Sequence, residues 1–120
     1  MVKKILLVCT GNTCRSPMAA ALLQKILEGK KEITSEIQIS SAGIYAFPGA
    51  PASTEAIEVM RHYGVDLSTH LSRGLQSEEL LASDLILTMT TAQKAQLLKA
   101  FPEVKDKVFI LREYIEGQLK

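Results

Sequence analysis

The most constraining feature of this sequence is a junction near its start. Ile5-Leu6-Leu7-Val8 is a continuous apolar run, and it passes directly into Cys9-Thr10-Gly11-Asn12-Thr13-Cys14-Arg15-Ser16. An unbroken apolar run of this kind suits a strand buried on both faces of a parallel sheet. Ser16 and Pro17 are then expected at the N-cap and first position of a helix. That helix would carry Met18, Leu22, Leu23, Ile26 and Leu27 on one stripe and stop at Gly29. Strand, Gly-containing loop and helix in immediate succession commit the chain to an α/β architecture.

The remaining pattern continues the alternation. Ile37-Gln38-Ile39 suits a more exposed strand, and Ser40 to Pro51 reads as a loop rich in Gly, Ala and Pro. Ser53 can cap a second helix with Ala56, Val59, Met60 and Tyr63 at helical spacing and Gly64 as its stop. Val65 to Leu75 reads as loop, and a short helix near Glu78 to Ala82 leads to the apolar strand Leu85-Ile86-Leu87. Thr90 and Gln93 form a capping box for a helix ending near Phe101-Pro102. Val108 to Leu111 is the last expected strand. The fold class predicted is α/β, a parallel sheet with helices on both faces.

Length and charge narrow the function. At 120 residues the prior is one domain, 1–120, with a single core. Fourteen Lys and Arg against 13 Asp and Glu leave a net charge of +1, without the basic footprint of a nucleic-acid binder. Any anion must be held locally. The apolar stretch before Thr10 is too short for a signal segment or a membrane span, so the expectation is a cytoplasmic protein with no membrane partner. Cys9 and Cys14 are the two cysteines. Their spacing relative to His62 and His70 matches no zinc site, so no metal is expected, and no cofactor is implied.

The loop after the first strand is the usual anion seat of such folds. It lacks the second Gly and the Gly-Lys-Ser/Thr ending of a Walker loop, and with one Gly it is no dinucleotide fingerprint. What it offers is Cys-x5-Arg-Ser. Gly11 and Asn12 tolerate left-handed dihedrals, so the intervening N–H groups can curl toward one centre as a nest for an oxyanion. A thiol at a strand's end, beneath a helix N-terminus and beside a guanidinium, is in the setting that activates cysteine as a nucleophile. Arg15 can clamp the same anion with two parallel N–H bonds, and Ser16 can donate to the sulfur. These residues point to phosphate-ester chemistry.

Val8-Cys9-Thr10-Gly11-Asn12-Thr13-Cys14-Arg15-Ser16-Pro17-Met18-Ala19 resembles the signature of the low-molecular-weight protein tyrosine phosphatases and their bacterial protein arginine phosphatase branch. Ser41-Ala42-Gly43, Tyr63-Gly64-Val65, His70-Leu71-Ser72-Arg73 and Asp84-Leu85-Ile86-Leu87-Thr88-Met89 extend the resemblance along essentially the whole chain. It implies a four-stranded parallel sheet with the phosphate-binding loop after its first strand. It also implies Cys9 as nucleophile, Arg15 as clamp, Ser16 as partner of the sulfur, and Thr10, Gly11, Asn12, Thr13 and Cys14 around the phosphoryl group. Asn12, Ser16, Ser41 and His70 would support the loop. His70 is expected to order it by hydrogen bonding and not to move a proton. Tyr45 and Phe47 either wall the mouth of the pocket or are ordinary surface aromatics. Cys14 either traps an oxidised Cys9 as a reversible disulfide or fills a small buried space.

The resemblance also implies the substrate, a phosphorylated protein, with inorganic phosphate or another oxyanion able to occupy the loop. Tyrosine-specific relatives usually carry a branched apolar residue at the position of Thr13, whereas Thr there is linked to the arginine phosphatase branch. A Thr hydroxyl can accept a hydrogen bond from a planar guanidinium. Phosphoarginine is therefore the expected substrate, with phosphotyrosine the alternative. An arsenate reductase would need resolving cysteines beyond Cys14, and an inactive phosphoprotein-binding module would need the acid to be missing. The family's general acid is an Asp in an Asp-Pro pair, but Asp66, Asp84 and Asp106 are the only aspartates and none precedes a proline. The expectation is a chain lacking the C-terminal acid loop and last helix, either truncated or part of a longer protein. If it is whole, leaving-group protonation is lost, at a cost of ~10²- to 10⁴-fold in rate, and an apolar patch is exposed where the last helix should pack.

Overall fold

A computed structural model describes residues 3–28 and 37–118. The first strand, β1 (Lys4–Cys9), leads through the loop into helix α1 (Arg15–Glu28). Strand β2 (Gln38–Gly43), helix α2 (Thr54–His62), helix α3 (Ser77–Ala82) and strand β3 (Leu85–Thr88) follow. Helix α4 (Thr91–Ala100), a 3₁₀ turn at Pro102–Lys107, strand β4 (Val108–Ile110) and helix α5 (Leu111–Gln118) complete the order. The four strands form one all-parallel sheet in the order β2-β1-β3-β4.

β1 lies between β2 and β3, and this explains its unbroken apolar run. Alternate residues point to opposite faces and both faces are covered. Leu6 and Val8 pack with Leu80 of α3, Leu97 of α4, Ile86 and Val108 on one face. Leu7, Leu85 and Leu87 pack with Ala19, Ala20 and Leu23 of α1 and with Leu111 and Tyr114 of α5 on the other. Helix α2 rests on α1, where Ala52, Ala56, Met60 and Leu67 meet Met18 and Leu22. Among the described residues no helix is long and apolar enough to cross a membrane.

Several boundaries differ from expectation for physical reasons. Helix α1 begins at Arg15, because Met18 N–H bonds the Cys14 carbonyl at 3.1 Å. Ser16 is thus inside the first turn and is not an N-cap. Pro17 is tolerated there because its missing N–H belongs to the unpaired first turn. Ile26 of the expected stripe is exposed, and the expected stop at Gly29 lies outside the described residues. Ser40 to Gly43 belong to β2, paired with Leu6 to Cys9, and not to a loop. Val59 and Tyr63 are exposed, since α2 buries only the narrow stripe that meets α1. Leu111 opens α5 and does not end β4. The Ser53 cap, the Gly64 stop at φ 73° and the Thr90/Gln93 capping box stand as expected.

Candidate active site

The site sits at the carboxyl end of β1. Cys9, Thr10, Gly11, Thr13, Cys14, Arg15 and Gln93 line an open cavity of about 300 Å³. The curl of the loop is made at one residue, Asn12, at φ 57°. Gly11, expected to share that role, lies outside the left-handed region. Asn can hold such a backbone because its short polar side chain bonds locally.

Asn12 is fully buried, and its partners fix the orientation of its side-chain amide. Arg73 N–H donates to its Oδ1 at 2.9 Å, so the amide nitrogen must face the other way. Nδ2 donates to Ser16 Oγ and to Ser41 Oγ, each at 2.9 Å. Ser16 Oγ, having accepted that bond, lies 2.9 Å from Cys9 Sγ, within hydrogen-bonding reach of the sulfur. Asn12 N–H also donates to the sulfur, at 3.3 Å. His70 Nε2 lies 2.8 Å from the Asn12 carbonyl, which can only accept, so Nε2 carries the proton. The Ser16 hydroxyl and the Asn12 N–H thus both meet one buried sulfur.

The structure therefore brings together every residue expected from the motif. Six of them line the cavity, and Asn12, Ser16, Ser41 and His70 stand behind it. Cys14 is half-buried, lines the cavity and packs against the α1–α2 cluster, and both cysteines are free thiols. Tyr45 and Phe47 are exposed and do not line the cavity. None of the three aspartates lines it either.

Three contributors were not foreseen. Arg73 donates from Nη1 to the Ser41 carbonyl at 2.6 Å and pairs through Nη2 with Glu79 of α3, tying the loop's support to that helix. Gly43 is required by close approach. A Cβ there would stand 2.7 Å from the Thr10 carbonyl oxygen and 3.0 Å from Asn12 N, both backbone atoms. Gln93 reaches from α4 to Thr10 Oγ1 at 3.2 Å. Arg73 and Gly43 stood within motif segments without a role, and the capping box had already accounted for Gln93.

Fold and site together define an α/β protein with a thiol-bearing anion cavity at the end of its first strand. A profile of the low molecular weight phosphotyrosine protein phosphatases matches residues 4–120. The probable low molecular weight protein-tyrosine-phosphatase EpsP of Ralstonia nicotianae is 44% identical over 113 residues, covering 94% of this chain and 73% of EpsP. The protein-arginine-phosphatase of Geobacillus stearothermophilus is 42% identical over 118 residues, 98% of this chain and 74% of that protein. A solved structure of YwlE arginine phosphatase, a cysteine-to-serine mutant with a phosphorylated active site serine, superposes with a TM-score of 0.87 at 39% identity, covering 95% of this chain and 72% of that one. The chain belongs to the low molecular weight phosphotyrosine protein phosphatase family and is an enzyme of the protein phosphatase class.

Proposed function

We propose that this enzyme hydrolyses phosphoarginine in proteins through a cysteinyl-phosphate intermediate on Cys9. The Cys9 sulfur attacks phosphorus, the S–P bond forms and the P–N bond breaks, and the departing guanidine nitrogen takes up a proton from solvent water. Water then attacks the phosphoryl group, the S–P bond breaks, and phosphate and thiolate are released. The nest N–H groups and Arg15 hold the equatorial oxygens through both steps, where charge spreads in the transition state. Ser16, whose hydroxyl lies 2.9 Å from the sulfur, donates to the thiolate as attacking and as leaving group. The relative whose substituted serine is phosphorylated supports attack from this position.

Thr13 carries the choice of substrate. It lines the cavity, where its hydroxyl offers an acceptor to a planar guanidinium and its methyl offers packing. The arginine phosphatase of G. stearothermophilus supports this reading. Phosphotyrosine is the second reading, favoured by the similarity to EpsP. The two leaving groups differ: a phenol leaves with pKa ~10, and a guanidine, a far stronger base, depends far more on protonation. The test compares kcat/KM for phosphoarginine and phosphotyrosine peptides in wild type and Thr13→Ile. Preference for phosphoarginine, reversed or abolished by Thr13→Ile, is expected. A wild type that prefers phosphotyrosine, or a preference untouched by the substitution, replaces this reading with the tyrosine one.

The 1–120 segment acts, in this reading, as one phosphatase unit on cytoplasmic phosphoproteins. Peroxide converts Cys9 to a sulfenic acid, and the Cys14 thiol at the same cavity condenses with it, expelling water and forming a disulfide that thiols reverse.

A further inference from the structure

We infer that Gln93 is a positioning residue for the bound oxyanion: its side-chain amide orients the Thr10 hydroxyl so that this hydroxyl donates into the cavity. The inference rests on the phosphatase reading of the cavity.

The orientation of Gln93 is fixed by its partners. Its Oε1 accepts from Met89 N–H at 3.0 Å and Thr90 N–H at 3.1 Å, and backbone N–H groups can only donate. The oxygen is thus spent at the start of α4, and Nε2 must be the atom facing Thr10 Oγ1, 3.2 Å away. Helix propensity does not require this second contact, because the capping box is complete without it. Gln93 is 6% exposed, and both it and Thr10 line the cavity that holds Cys9 and Arg15.

The chemistry follows from the hydroxyl's inventory. Thr10 Oγ1 accepts the Gln93 amide proton, so its own proton is left to turn toward an acceptor in the cavity. A donor held in advance costs no reorientation when an anion arrives. The nest supplies backbone N–H groups, and Gln93 with Thr10 adds a side-chain donor on the flank formed by α4. Movement of α4 relative to the loop would therefore be felt as a change in anion affinity.

Gln93→Glu isolates the claim. Glutamate keeps an oxygen for the Met89 and Thr90 N–H groups and completes a capping box. It replaces the amide donor with a second acceptor, which draws the Thr10 proton out of the cavity and sets a negative charge beside the anion. Inorganic phosphate and vanadate binding to the full chain is measured by calorimetry, with melting temperature, for wild type, Gln93→Glu, Thr10→Val and Gln93→Met combined with Thr10→Val. Gln93→Glu should melt as wild type does but bind at least about tenfold more weakly, the scale of one charge-assisted hydrogen bond. Thr10→Val should lose about tenfold, and the combined variant no more than Thr10→Val alone, since Gln93 acts through that hydroxyl. Wild-type affinity in Gln93→Glu or Thr10→Val, or a loss in the combined variant beyond that of Thr10→Val, overturns the inference. A wild type that binds neither anion overturns the phosphatase reading and the inference with it. Should Gln93→Glu fail to fold, Thr10→Val at its exposed loop position decides.

Discussion

The two ends of the sheet are built from similar polar groups and differ in what those groups face. At the carboxyl end, Asn12, Ser16 and Ser41 are buried and joined through the Asn12 amide, and the Asn12 N–H and the Ser16 hydroxyl converge on Cys9. At the amino end, Asp84 accepts the Lys3 and Lys4 N–H groups, each at 2.9 Å, on an exposed surface. That end also has the larger hollow, about 420 Å³, among Lys4, Gln38, Ser40, Glu78 and Ser83. Its carboxylates repel an anion, and its polar groups can exchange partners with water. In the proposed mechanism convergent buried donors, and not cavity size, select the end that does chemistry. Burial makes those donors costly to disturb.

Removing the buried network should have the largest effect. Asn12→Ala leaves Ser16, Ser41 and the Arg73 N–H without their shared partner and places Ala in a left-handed backbone. Unsatisfied groups cost about 1–3 kcal/mol each and the backbone about 1–2 kcal/mol. Denaturant unfolding should show a loss of about 3 kcal/mol or more, and kcat/KM should fall on the order of 10²-fold as the loop loses its shape. A variant with near wild-type stability would show that water replaces the network and would erase the contrast between the ends.

Gly43→Ala should come next. The new methyl meets backbone oxygen and nitrogen of the loop and not a flexible side chain. Overpacking of this kind costs about 1–3 kcal/mol, and displacement of the loop should lower kcat/KM roughly tenfold. Unchanged kinetics would mean that the end of β2 does not hold the loop in register.

Asp84→Asn should be the smallest. The Lys3 N–H bond, and then the Lys4 N–H bond, hold the Asp84 carboxyl below its ordinary range despite slight opposing desolvation. A carboxylate whose folded pKa is lowered stabilises the fold above its unfolded value, ~3.9, and loses that contribution as pH falls through the folded value. Wild type should therefore melt slightly above Asp84→Asn near neutrality, and the gap should close in strong acid. Activity should not change. A gap that widens on acidification would reverse the assigned sign.

Much of this contrast was legible in local sequence. The apolar run of β1, the Cys-x5-Arg-Ser loop and the Thr90/Gln93 box are short-range patterns with one physical meaning each. Ser16 is not the cap that Ser-Pro signals, because the bond from Met18 to Cys14 starts the helix two residues earlier. The end of β2 was hidden because Ser40-Ser41-Ala42-Gly43 has no apolar alternation, and its strand character comes from pairing with distant β1. Gly43 and Arg73 act by long-range approach, which no spacing encodes. Gln93 looked fully explained by its cap, and its second contact crosses between elements.

The central claim is that Cys9 carries the phosphoryl group during turnover. Rapid quenching of the wild-type enzyme in denaturant during steady-state hydrolysis of a phosphorylated peptide, followed by mass spectrometry of the peptide containing Cys9, tests it most directly. Wild type should yield a phosphorylated Cys9, and Cys9→Ala neither adduct nor turnover. Turnover without phosphate on Cys9, or an adduct mapped to another residue, would contradict it.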